Sequence, residues 1–425
     1  MNNSGDYRMP NRWLIVFSAA LISLVGFGSR GVFGVVYVEM LKEFHWDRAS
    51  LAGVYSVGML LMGFGGPLAG TLSRKIGFKR YYLISGLLVG LTFLLASRVQ
   101  TLAQVYWTYG LLGGLSLAAL GFGPTQGLVA RWFETRRGLA IGIVGAGVGA
   151  YPLLAPLAQF LIDAFGWRNA LVALGVFFFA AVVLLGTTLM REPPKETGDP
   201  QSSDAPRENA GSGGADWTLR GALGTGPIWL IGLAWFFMAV SIHFVNTHLV
   251  VLLVGIGHPA LLSSSVLASV GVFSVINRAV SGGISDRLGR VRIFVAGVVS
   301  ACLGLLTLLS LLTGEGARAV GWFYAFAVLF GLGTGAQTTQ VTALASDLYR
   351  GRFFGSIIGF LTIGFGLGGA VGPWLGGLLF EWTGNYRVMI GYVLATQAAA
   401  ALFLIAAGRL GRSLREPSPA DAGAR

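Results

Sequence analysis

Two arginines stand inside stretches of chain that carry almost no other charge. Arg278 lies in the apolar run 265–290 (SVLASVGVFSVINRAVSGGISDRLGR), about 10 residues and hence roughly 15 Å from its basic end. Arg30 lies about 11 residues, roughly 16 Å, from the far end of a first run that begins at Trp13. A guanidinium keeps its charge at any working pH and holds a carboxylate with two parallel N–H donors. Buried in an apolar span, such a charge ordinarily marks a substrate or ion pathway. For Arg278 the alternative is a structural pair with a carboxylate of another helix, but the acidic residues fall almost entirely between the runs. For Arg30 the alternative is snorkelling toward the interface. Ser274, one helical turn before Arg278, shares its face, and Asn277 lies about 100° round. His243 and His248 occupy one run, five residues apart. They point about 140° from each other and do not line one site together. Either imidazole could pass a proton near neutral pH or serve as a hydrogen-bonded structural group. Gln337 and Gln340, with Phe122 and Phe360, could shape a cavity, although helix packing accounts for all four. Glu39 reads as an interfacial carboxylate, and His45 and His258 as solvated loop residues.

The elements that must position these groups are apolar helices. Of 425 residues, 54% are hydrophobic and 11% charged, whereas soluble domains carry about 25% charged residues. About twelve runs reach the roughly 20 residues needed to span a bilayer, with expected limits 12–41, 48–73, 80–97, 101–131, 136–161, 168–190, 227–255, 261–286, 292–313, 319–348, 352–380 and 386–408. The segment 191–226 is rich in Pro, Gly, Ser and charge and cannot bury a core, so it reads as a linker. The chain therefore divides into a six-helix bundle over 1–190, the linker, a second bundle over 227–412 and a tail over 413–425. The first run is too long for a cleavable signal core. A net charge of +12 does not indicate nucleic acid, because the basic residues sit in short loops. With a single cysteine, Cys302, no intramolecular disulfide forms. No phosphate-binding G-x-x-x-x-G-K-[ST] loop and no His/Cys/carboxylate metal cluster is present, so neither an enzyme, nor ATP-driven transport, nor a cofactor is expected.

The halves read as repeats. Residues 66–80 (GPLAGTLSRKIGFKR) follow the second span and 282–292 (GGISDRLGRVR) follow the eighth, each a glycine-bearing basic loop at the same point of its half. Of the 30 Lys and Arg, 22 fall on the side that holds both termini and the linker, 6 on the other, and two, Arg30 and Arg278, inside spans. The positive-inside bias places that first side in the cytoplasm.

Twelve spans, a polar central linker and a duplicated G-x-x-x-D-R-x-G-R type loop resemble the major facilitator superfamily. The second copy matches at Gly282, Asp286, Arg287, Gly289 and Arg290; the first has Arg74 where the family usually has Asp. The resemblance implies an all-α fold of two pseudo-symmetric six-helix bundles with a site between them and alternating access. Ser29-Arg30-Gly31-Val32-Phe33-Gly34-Val35, the segment 44–49 (FHWDRA) and the segment 131–140 (RWFETRRGLA) followed by Gly145-Ala146-Gly147 resemble the monocarboxylate and oxalate/formate carriers. His248-Leu249-Val250 and Asn277-Arg278 fit the bacterial members of that group. In such carriers an arginine at the position of Arg278 binds the substrate carboxylate, and the animal ones have a lysine near Arg30. Some relatives carry an Asp where this chain has Ser274, so a relay through that Asp is not available here. The resemblance favours His248 as the pathway histidine and proton carrier.

The expected function is thus secondary transport of a small carboxylate, lactate- or pyruvate-like, in symport with protons, by a monomer in the inner (plasma) membrane with no nucleic-acid partner. Exchange of dicarboxylates such as oxalate is the nearest alternative, because two intramembrane arginines suit a dianion. An exporter of hydrophobic compounds would call for intramembrane carboxylates, and a sensor for an output domain. With Cys302→Ser as background, cysteines placed in 191–226 should resist a membrane-impermeant thiol reagent in intact cells. Ready labelling there would contradict the topology.

Overall fold

In lipid, only a helix lets an isolated apolar run satisfy its own backbone N–H and C=O groups. The computed structural model describes residues 12–133, 137–192, 217–312, 320–349, 351 and 353–413. It contains twelve helices long and apolar enough to cross a membrane. The first six are α1 (Arg12–Phe44), α2 (Arg48–Ile76), α3 (Phe78–Ala96), α4 (Leu102–Val129), α5 (Leu139–Phe165) and α6 (Trp167–Thr188). The second six are α7 (Gly226–Gly255), α8 (Ala260–Leu288), α9 (Arg290–Leu311), α10 (Val320–Leu348), α11 (Phe354–Thr383) and α12 (Tyr386–Ser413). Most of the expected linker and all but the first residue of the expected tail lie outside the described residues. Large apolar side chains such as Leu68, Leu402, Trp107 and Trp382 stand exposed on the helix surfaces, as lipid-facing positions require.

Two helices are less regular than their apolar runs suggest. α4 contains a π-helical turn at Tyr106–Leu112 and a break at Gly121, where the backbone is extended. α5 tightens into a 3-10 turn at Tyr151–Leu153, where Pro152 has no N–H to donate. Because the helices alternate in direction, Arg12, the 76–78 turn, Thr188, the 288–290 turn and Ser413 share one face, here called the linker face. The turns near 45, 97, 166, 257 and 384 share the far face.

The two glycine-bearing basic loops fold alike. Gly77 closes α2 with φ 82° and ψ 143°, and Gly289 closes α8 with φ 95° and ψ 141°. A side chain strains that left-handed backbone, and glycine does not. In the second copy Arg290 pairs with Asp286 at 2.6 Å and with Asp347, near the end of α10, at 3.2 Å. That contact ties the α8–α9 turn to α10 at the linker face.

The first six helices meet the last six along α2–α11, α1–α7 and α5–α8. Small residues permit the approach. A Cβ added at Gly366 would lie 2.7 Å from the Gly63 Cα, and one added at Gly377 would lie 2.6 Å from the Ala49 Cα. The far face is further clamped by Arg48. Asp47 caps α2 by accepting from the Ser50 N–H at 2.6 Å, which starts the helix at Arg48 as expected. Its guanidinium lies 3.8 Å over the Phe380 ring and 5.2 Å over that of Tyr386, and it donates to the Tyr386 hydroxyl. Beside it the Ala49 N–H donates to Glu381 at 3.1 Å. Toward the linker face, Cβ atoms added at Gly66, Gly142, Gly145 and Gly355 would meet nothing within 4 Å. The described clamps thus sit at the far face and the middle.

Gly377→Leu should force α11 off α2 and lower stability by about 1–3 kcal/mol, read as a lower melting temperature in detergent. An unchanged melting temperature would contradict this packing.

Candidate functional site

The 3-10 turn of α5 is the point around which the two arginines are arranged. It is wedged between the halves: a Cβ on Gly31 of α1 would lie 2.8 Å from the Tyr151 carbonyl oxygen, and one on Gly271 of α8 would lie 3.0 Å from Pro152. Arg278 lies two helical turns from Gly271 and one from Ser274, toward the linker face. A Cβ on Gly149 would lie 3.0 Å from its Nε, so this glycine clears the space the guanidinium occupies. Arg278 is partly exposed, and its Nε donates to Ser274 Oγ at 3.4 Å. Tyr151 is buried between the arginines and interacts electrostatically with both.

Arg30 does not snorkel. It is 1% exposed, and its Nε, Nη1 and Nη2 have no hydrogen-bond partner. Its guanidinium lies over the Tyr55 ring at 5.0 Å, with Tyr109 and Tyr151 completing an aromatic surround. Tyr109 is held in turn by donating to the Ser29 carbonyl. The guanidinium fills the volume that a side chain at position 58 would need: a Cβ on Gly58 would lie 1.9 Å from Nη2. A cation–π contact is worth about 2 kcal/mol when desolvated, well short of the several kcal/mol lost on burying a charge. The Tyr55 hydroxyl lies 2.7 Å from Nδ1 of His243 on α7.

Among the described residues no Asp or Glu forms an ion pair with either arginine. The described ion pairs lie at the two faces, as in Lys42–Glu39, Arg168–Glu43 and Arg290–Asp347. The site is therefore a pair of cations, one open and one enclosed, with tyrosines between them and a deficit of negative charge.

The other residues singled out from sequence are spread more widely. Asn277 is partly exposed, and its amide donates to the Leu332 carbonyl of α10. His248 is wholly buried near the far face, with Nε2 2.8 Å from the Pro373 carbonyl and the rings of Tyr37, Phe244 and Tyr386 around it. Gln337 is buried with its stem against Gly297 of α9, and Gln340 donates to the Ser281 carbonyl at 3.1 Å. Phe360 packs edge-on against Trp229 of α7. Phe122 opens the last segment of α4, and its side chain lies outside what the structure describes. Glu39 pairs with Lys42 at 2.8 Å, and the ring of His258 packs on Phe323. Tyr55, Tyr109, Tyr151, Gly58 and Gly149 carry the site yet stand out in no local pattern.

Twelve apolar helices around a polar centre define a multi-pass membrane protein. The profile of the Major Facilitator Superfamily matches residues 19–321 and 279–424. Monocarboxylate transporter 13 of Rattus norvegicus is 30% identical over 379 residues, covering 88% of this chain and 83% of the relative. Monocarboxylate transporter 11 of Homo sapiens is 27% identical over 387 residues, covering 88% and 78%. A crystal structure of a bacterial homolog to human lysosomal transporter Spinster, inward-facing and unoccupied, superposes with a TM-score of 0.69 at 15% identity over 95% of this chain and 97% of that one; the likeness is one of fold. The chain belongs to the major facilitator superfamily and is a transporter, not an enzyme.

Because Asn277 joins α8 to α10, Asn277→Ala should cost about 1 kcal/mol of stability. Thermal unfolding of the purified protein checks this, and a variant as stable as the parent would contradict it.

Proposed function

We propose that the chain is a secondary carrier of small monocarboxylates, lactate- or pyruvate-like, which takes up a proton with each anion and works by alternating access. The observation that carries this reading is Arg278, a partly exposed residue deep in its helix, with a serine for partner and, among the described residues, no carboxylate. A monocarboxylate held there would accept two parallel N–H bonds and cancel the charge. The printed names of the animal relatives, monocarboxylate transporters, support the same substrate class.

In this reading the bundles 1–190 and 227–412 rock about the line where α5 crosses α8. The clamp at Arg48 opens in one state and closes in the other. Neutralising Arg278 favours burial of the site between the bundles, because a paired charge is far less costly to desolvate than a lone one. Both arginines come from one chain, which supports a monomeric unit. The bias of basic residues supports an orientation with both termini and the linker cytoplasmic, in a carrier we assign to the plasma membrane. Arg30 favours a second reading, exchange of dicarboxylates, since an enclosed cation without a hydrogen-bond partner could take the second charge of a dianion.

The test is anion affinity for Arg278→Ala and Arg278→Lys, with melting temperatures alongside. Arg278→Ala should weaken monocarboxylate binding at least 30-fold, the equivalent of about 2 kcal/mol, and stay folded, because the described residues include no buried carboxylate for it to orphan. Arg278→Lys keeps the charge without the fork and should fall between. Parent-like binding by Arg278→Ala would overturn the reading, and a parent protein that prefers oxalate to lactate would favour the exchanger.

A further inference from the structure

The reading above requires a proton site, and the described spans offer no carboxylate beside the arginines. Buried on α7, His243 is 2% exposed. Its Nδ1 is 2.7 Å from the Tyr55 hydroxyl of α2, so this hydrogen bond joins the first six helices to the last six near the middle of the molecule. Its Nε2 is buried with no hydrogen-bond partner. The ring otherwise meets Phe365, edge-on at 5.1 Å, and the bare face of Gly369, where an added Cβ would lie 3.2 Å from Nε2. Arg30 lies over the same phenol ring, 5.0 Å from its centroid. The charged group acting on the imidazole is this arginine from α1. The titratable groups near it are Tyr55 on α2, Tyr109 on α4 and Tyr151 on α5, all neutral phenols, and α11 contributes Phe365 and Gly369.

We propose that His243, held by Tyr55, is the proton-binding group of the carrier, and that it loads only when the carried anion occupies the site at Arg278, beside Tyr151 and Arg30. The inference rests on the proton-symport reading. In the empty protein a proton on His243 would place a second positive charge beside a buried arginine that has no counter-ion, in a medium of low dielectric constant. An anion on Arg278 offsets the positive charge of the site that opposes it. The imidazole then takes a proton from water. The resulting imidazolium donates Nδ1–H to the Tyr55 oxygen and carries its second proton on Nε2. By linkage each ligand raises the affinity for the other by the same factor, so anion and proton enter together. Because Tyr55 and His243 sit on opposite halves, the loaded bond is made or broken as the halves move, which ties the proton to the transport step.

His248 is the contrasting case. Its Nε2 meets the Pro373 carbonyl and its Nδ1 has no partner, but the charged group acting on it is Arg48 of the far-face clamp, not Arg30.

The experiment is lactate binding to the purified full-length protein between pH 6 and 8, with proton uptake followed in weak buffer. In the parent, affinity should fall about tenfold per pH unit, the slope for one linked proton, with about one proton taken up per anion. His243→Gln should bind lactate with an affinity flat in pH and without proton uptake, while His248→Gln keeps the parent's slope. If His243→Gln retains the slope and the uptake, the proton lies elsewhere and the proposal is overturned while symport stands. A parent without slope or uptake sinks symport and the proposal with it. Should His243→Gln fail to fold, Tyr55→Phe decides: removing the hydroxyl should move the midpoint of the pH dependence, and an unmoved midpoint overturns the proposal.

Discussion

A permanent positive charge in a medium that cannot solvate it must find an anion, and here the described protein supplies none. Arg30 and Arg278 lie within apolar helices, while the described ion pairs lie at the two faces. The deficit explains much of the surrounding architecture. Gly58 and Gly149 leave volume for two guanidinium groups, Tyr55 presents its ring to Arg30 with Tyr109 and Tyr151 nearby, and a proline-bearing turn of α5 is driven between α1 and α8. These devices reduce the penalty without cancelling it. A structure that keeps such a deficit is poised for an anionic ligand.

The two cations are not equivalent. Arg278 is open and loosely held by Ser274, as a group that meets a substrate should be. Arg30 is sealed, and Tyr55 beneath it is hydrogen-bonded to His243 of the second half. One contact can bind and the other can report that binding to the opposite helices. The clamp at Arg48 stands apart from both, and its partners Phe380, Glu381 and Tyr386 make the far face a separate mechanical element.

The fold was largely legible in the sequence, because length and hydrophobicity are all that a lipid-spanning helix needs. Arg30 and Arg278 were legible for the complementary reason: a charge inside such a run is conspicuous. Ser274 followed from helical spacing. The tyrosines did not, since a tyrosine in an apolar span reads as packing until its neighbours from four other helices are known. Gly58 and Gly149 were hidden among 65 glycines. The start of the second helix at Arg48 was legible, but not that its guanidinium would reach Phe380 and Tyr386 across the two halves. Gln337 drew notice as a polar group in mid-span, yet sequence alone does not say that its stem faces α9.

The central claim is that negative charge, not shape, fills the site. Calorimetric titration of the purified protein with lactate and with its uncharged, nearly isosteric amide tests it most directly. The account expects the carboxylate to bind and the amide to bind at least 30-fold more weakly, the equivalent of about 2 kcal/mol for a lost charge-assisted pair. Equal affinity for the two would contradict it.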